Sequence, residues 1–129
     1  MNPLLLDTHT MLWAMYEPMK LSTTVRDLLA DPANALIVSI SSLWEITIKV
    51  SIGKMDIPGG DIDTVIRNLD AFRIRILPIE TAHLRELQSL PHHHRDPFDR
   101  MLIAQSLSEG LPLVSKDEDI LRYALTTVW

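Results

Sequence analysis

The chain has 129 residues, 47% hydrophobic and 22% charged, with net charge −5 and no cysteine. That apolar mass suits one core, so a single domain over residues 1–129 is expected, and the composition excludes a disordered chain, a disulfide framework and a thiolate metal site. No apolar run reaches the roughly eighteen residues of a membrane span, and the short N-terminal run is no signal peptide, which together predict a cytoplasmic protein.

Strands alternate with helices along the chain. Residues 4–6 read as a buried strand, followed by a short helix over 8–16 that ends before Pro18. Ser22 caps a helix over 23–30, and residues 35–39 form the second strand. Ser41 or Ser42 opens a helix to Val50, closed by Gly53. The break at 57–60 precedes a helix from about 62 to 72, and residues 73–77 suit a half-exposed edge strand. An amphipathic helix over 80–90 leads to a histidine-rich loop. Asp96-Pro97 starts the strongest helix signal, running to Glu109 with Gly110 as its stop. Residues 111–115 form the third apolar strand, 118–124 a last helix, and 126–128 a possible final strand. This pattern predicts an α/β domain, with a central parallel sheet of four or five strands flanked by helices.

Four carboxylates fall where apolar segments break: Asp7, Glu45, Asp99 and Asp117. Asp7 and Asp117 follow strands, at the carboxyl ends where such sheets bind ligands. At about 100° per residue, Asp99 shares the inward sector of Leu102, Ile103 and Ser106, whereas Glu45 lies on a mixed face with Ser41, Ile48, Lys49 and Ile52. Each acid also fits a bland role. Asp7 can cap the first helix, Glu45 can pair with Lys49, Asp99 suits a helix N-terminus near Asp96, and Asp117 or Asp119 can cap the last helix. Those roles do not explain why acids gather at strand ends and on an inward helix face of one small domain, so a joint site is the preferred reading.

A carboxylate cluster without thiolates binds hard cations such as Mg²⁺ or Mn²⁺, with one or two ions held. Such ions activate water and stabilise the leaving oxygen of a phosphodiester, which makes nuclease the leading reaction class. The net charge opposes this superficially, since phosphate contacts want cations. Removing the four acids brings −5 to −1, however, and Lys49, Lys54, Arg95, Arg100 and Lys116 are available, although solvated surface charge is the simpler account of each. His92-His93-His94 reads as an exposed loop rather than a Zn²⁺ site. His9 can approach the acids or merely lie on the surface. For Trp13 and Trp44, core or dimer packing is favoured over base stacking.

The segments LLLDTHTMLW (4–13), SISSLWEITIKVSIGKM (39–55), HRDPFDRMLIAQS (94–106) and LPLVSKDEDI (111–120) resemble, in order, the motifs of PIN-domain ribonucleases, and more narrowly the VapC-type toxins of toxin-antitoxin pairs. DPFDRxLIAQ is the most specific of them. The resemblance implies a three-layer α/β fold and a Mg²⁺- or Mn²⁺-dependent endoribonuclease that hydrolyses RNA with metal-activated water. It carries the acidic positions onto Asp7, Glu45, Asp99 and Asp117, with Thr8, Asp96 and Ser115 as supporting neighbours. Lys116 stands where family members often have a small residue, and Asp119 competes with Asp117 for the fourth position. A cognate antitoxin and a toxin homodimer are implied partners, with Leu12, Trp13, Leu28 and Leu29 available for such surfaces, though core packing explains them more simply.

Two other functions fit less well. A catalytically silent regulator of the same fold would bind RNA or protein without cutting it. An aspartyl-phosphate phosphotransferase would use Asp7 as nucleophile, but the second acid expected two residues later is His9. No GxxxxGK loop is present, which argues against a P-loop enzyme.

Overall fold

A strand whose residues alternate between two buried faces needs helices above and below it, and β1 (Asn2–Leu6) sets that requirement at once. Leu4 and Leu6 enter one apolar cluster, while Leu5 enters another on the opposite face. The computed structural model describes residues 2–129. After β1 come α1 (Thr8–Tyr16), α2 (Thr23–Ala30), β2 (Asn34–Ser39), α3 (Ile40–Ser51) and α4 (Ile62–Ala71). Then follow β3 (Arg75–Leu77), α5 (Thr81–Ser89), α6 (Pro97–Glu109), β4 (Leu113–Val114), α7 (Glu118–Leu121) and β5 (Thr127–Val128).

The strands form one parallel sheet of order β3-β2-β1-β4-β5. Met11, Val25, Ile46 and Val65 bring α1 to α4 onto the face of Leu4 and Leu6. Leu102, Ile103 and Ile120 bring α6 and α7 onto the face of Leu5, where Leu87 of α5 also packs. The result is the expected three-layer α/β arrangement. Among the described residues, no helix is long and apolar enough to cross a membrane.

The strand order explains where a ligand would go. The chain adds β2 and β3 on one side of β1, then crosses to add β4 and β5 on the other. The connections leaving β1 and β4 therefore diverge, opening a crevice beyond their carboxyl ends. Asp7 follows β1 directly, and Asp117 lies three residues after β4.

Several boundaries shift from those the sequence suggests. The predicted edge strand shortens to Arg75–Leu77, because Arg73 occupies the left-handed region at φ 58° and turns the chain out of α4. Only Leu113 and Val114 form β4, since the Leu111 N–H bonds to Ser106 O and completes the end of α6 around Gly110. Gly110 has φ 66°, a conformation that favours glycine. The last helix stops at Leu121, before Tyr123 turns inward to 5% exposure. An additional 3-10 turn at Pro18–Lys20 follows α1, opened by a proline suited to that position.

Candidate active site

Asp7 serves as both a cap and a crevice wall. Its Oδ1 accepts the Thr10 N–H at 2.8 Å, closing the start of α1, and its own N–H donates to Val114 O at 3.2 Å. Among the described residues, Oδ2 has no hydrogen-bond partner, and it is not sealed from solvent, since Asp7 keeps 7% exposure at the crevice. One carboxylate oxygen is thus committed to the fold and the other is available.

Glu45 is likewise buried, which settles the direction its mixed helix face left open. Its Oε2 accepts from Lys49 Nζ at 2.7 Å, as the i,i+4 spacing suggests, and its Oε1 lies 2.8 Å from Thr8 Oγ1. Thr8 Oγ1 is also 2.9 Å from Ser42 Oγ. With a single proton, the Thr8 hydroxyl donates to the carboxylate and accepts from Ser42. The bond to Glu45 holds the Lys49 ammonium above the ordinary lysine range despite partial burial, and the charges of Glu45, Asp96 and Asp99 add to this.

Asp99 occupies the first turn of α6, its N–H bonded to Asp96 Oδ1 at 3.1 Å. Its carboxyl is pushed up to about 8, first by burial and then by the charges of Asp96, Asp117, Glu45 and Asp7. Three acids from distant parts of the sequence, Asp7, Glu45 and Asp117, therefore act on one carboxyl together with its helix neighbour Asp96. An edge-to-face contact between Trp44 and Phe98, 5.3 Å between ring centroids, braces the helices that carry Glu45 and Asp99.

Asp117 caps α7 by accepting the Asp119 N–H at 2.8 Å, and its own N–H donates to Ser115 Oγ at 3.1 Å. Asp119 is exposed and pairs with Arg122 at 3.5 Å. Asp96 accepts from the N–H groups of Phe98 and Asp99, the helix-cap role expected of it. Thr8 and Ser115 are both buried beside the acids they contact.

The histidine-rich loop departs from its expected exposure at one residue. His94 is largely buried, with Nδ1 2.9 Å from the Tyr123 hydroxyl and Nε2 3.3 Å from Asp99 Oδ2. Arg100, considered above as a phosphate contact, is buried instead. Its Nη1 donates to Pro91 O at 2.7 Å and to the Tyr123 hydroxyl at 3.0 Å, so it ties the loop to the fold. A signal for Arg100 existed, because it shares the helical sector of the inward residues Ile103 and Ala104. Nothing in the spacing linked His94 to Tyr123.

Among the described residues, no three His, Asp or Glu side chains already stand at the mutual distances of an ion cage. The donor chemistry nevertheless fits a hard divalent cation. The residues offer carboxylate oxygens and no sulfur, Asp7 keeps an unpartnered oxygen, and burial together with like charges raises the pKa of Asp99. The side chains that would hold such an ion are Asp7, Glu45, Asp99 and Asp117, all oxygen donors.

A family model for the PIN domain matches residues 4–125. No curated protein sequence matches the chain significantly. Among solved structures, it is similar to a chain of VapBC2 from Rickettsia felis bound to a DNA fragment from the promoter, with TM-score 0.70 and 18% identity over 98% of this chain and 97% of that one. A chain of DNA-bound VapBC from Salmonella typhimurium gives TM-score 0.74 at 15% identity, over 99% and 98% of the two chains. A third similar chain comes from VapBC-5 of Mycobacterium tuberculosis, a member of the VapBC family of toxin-antitoxin systems, with TM-score 0.61 at 17% identity over 99% and 97%. At these identities the structural likeness speaks to the fold alone. The family model itself runs from β1 past α7 and includes all four acids, and on that match the chain belongs to the PIN domain family.

Proposed function

We propose that the chain is a Mg²⁺- or Mn²⁺-dependent endoribonuclease, the VapC-type toxin of a toxin-antitoxin pair. The observation that carries this reading is the convergence of Asp7, Glu45 and Asp117 on Asp99, at the switch point of a sheet in a PIN-family chain. The similar VapBC chains, one from a stated toxin-antitoxin family, support the biological role. RNA is the substrate in this proposal, a cognate antitoxin covers the acids, and the chain works as a homodimer in the cytoplasm.

In this reading Asp7, Glu45 and Asp99 hold the ion and Asp117 completes the set. Asp119 is set aside because it is exposed and faces Arg122. A bound Mg²⁺ or Mn²⁺ would make water more acidic and neutralise charge gathering on the phosphodiester oxygens. Thr8 fixes the Glu45 carboxylate through the 2.8 Å bond, and Lys49 balances its second oxygen. Asp96 aligns the first turn of α6 and with it Asp99. Ser115 sets the turn that carries Asp117.

Thr8→Val removes the hydroxyl but keeps the shape, so it frees one oxygen of Glu45 without emptying the core. Cleavage is expected to fall about 10- to 100-fold, the usual cost of losing a partner that orients a metal ligand. Steady-state rates on an RNA substrate, with circular dichroism as the check on folding, measure this. The toxin role is tested by inducing the chain alone in a bacterial host. Growth arrest is the expected result; unimpeded growth with the folded protein accumulating favours the silent regulator instead.

A further inference from the structure

Beside the acids lies a cavity of about 330 Å³ whose walls are not all acidic. Asp7, Asp117 and Glu118 line it, but so do His9, Trp13 and Lys116. The volume falls in the range of small-ligand sites. The imidazole of His9 and the indole of Trp13 stand 5.6 Å apart at 36°, and Trp129 meets Trp13 edge-on at 5.9 Å. The Lys116 ammonium lies 4.9 Å from the Trp13 ring centroid and 5.6 Å from that of Trp129. Among the described residues Lys116 forms no ion pair, even though Asp117 and Glu118 follow it directly.

An exposed ammonium resting on indole faces is held weakly, and it is free to move to a stronger anionic partner. Trp13 is partly buried against the core, and the ammonium groups over its ring, Lys116 at 4.9 Å and Lys20 at 5.9 Å, both belong to exposed side chains that a stacking base can displace. Packing, the reading the sequence favours for Trp13, thus describes only part of its surroundings. A flat π surface, an unpaired cation and carboxylates on a common cavity match one ligand chemistry well: a single-stranded nucleotide with its base on the ring and a phosphodiester at the ammonium.

We infer that Trp13 and Lys116 form a nucleotide subsite next to the acids, with Trp13 stacking one base and Lys116 pairing with a neighbouring phosphodiester of the bound RNA. This rests on the nuclease reading above and deepens it, by naming where the strand lies beyond the reacting phosphate. His9 extends the stacking surface. The subsite is tolerant of base identity, because every base presents a π face.

The test measures binding of a fluorescein-labelled, unstructured single-stranded RNA to the full chain carrying Asp99→Asn, in Mg²⁺, so that hydrolysis does not deplete the probe. Adding Trp13→Leu is expected to weaken binding roughly 5-fold or more, with Trp13→Phe staying near the parent because a stacking ring remains. Adding Lys116→Ala should also weaken binding, and should reduce the slope of log affinity against log salt by about 0.7, whereas Trp13→Leu should leave that slope unchanged. Thermal melts of Trp13→Leu and Trp13→Phe report any shared loss of packing. The inference is overturned if Lys116→Ala binds with unchanged affinity and slope, or if Leu and Phe at position 13 weaken binding equally. Where the unsubstituted protein cleaves RNA and these variants still bind like their parent, only the subsite falls. Where the unsubstituted protein neither binds nor cleaves RNA, the nuclease reading falls and takes the subsite with it.

Discussion

Replacing Asp99 by Asn is expected to reduce RNA cleavage by more than about 100-fold while leaving the protein folded. Loss of a group that merely orients a ligand costs about 10- to 100-fold, and removal of a ligand itself should exceed that. The fold should tolerate the change, because the helix cap is made by Asp96 to the backbone and the Asn amide retains the shape of the carboxyl. The same variant makes an independent statement about electrostatics. In the folded chain the Asp99 carboxyl is raised from 3.8 to about 8, so the native state holds this proton more tightly than the unfolded chain does. Its favourable contribution is full below the unfolded value and is lost as pH rises through the folded one. In chelator, the stability of the unsubstituted protein relative to Asp99→Asn should therefore decline between about pH 4 and pH 8. Paired thermal melts across that range measure the difference. A difference independent of pH would contradict the burial of Asp99 among like charges, and wild-type cleavage rates in the folded variant would remove Asp99 from the site.

Leu5→Ala should cost about 2 to 5 kcal/mol of folding stability, the range for emptying a leucine-sized space in a packed core. Leu5 is fully buried in β1, with Ile37 on one neighbouring strand and Leu113 on the other as register partners. It belongs to the cluster that seats α6 through Leu102 and Ile103. The cavity would open beneath the helix that carries Asp99, two residues before Asp7 in the chain. Denaturant titration at fixed temperature checks the magnitude through the midpoint, provided the slope is unchanged. A loss below about 1 kcal/mol would mean that the two faces of the sheet do not depend on β1 as described.

What the sequence made legible was whatever rests on periodicity and local breaks. Asp7 stands out because a run of three leucines ends there, and the structure has β1 ending at Leu6. The inward aim of Asp99 follows from its spacing to Leu102 and Ile103, both buried as that pattern requires. Gly110 stops α6 where expected, with the positive φ that such a stop uses. Less was legible where long-range contacts decide. Glu45 has a local partner in Lys49 that accounts for it on paper, and only the fold brings Thr8 to its other oxygen. His94 looked like one of three equivalent loop residues until Tyr123, from beyond the last helix, reached it. The brevity of β4 has a local cause instead, because the Leu111 N–H is taken by the end of α6 at Ser106 O, five residues earlier. The departure at Lys116 gained meaning only once Trp13 and Trp129 were seen beneath its ammonium.

Metal-dependent RNA cleavage is tested most directly by incubating the purified, unsubstituted protein with total cellular RNA, with Mg²⁺ or Mn²⁺ in one arm and excess chelator in the other. Discrete RNA fragments ending in 5′-phosphate and 3′-hydroxyl, formed with the metal and absent with chelator, are the predicted result. Undiminished cleavage in chelator, or intact RNA in every arm from a folded protein, would contradict it.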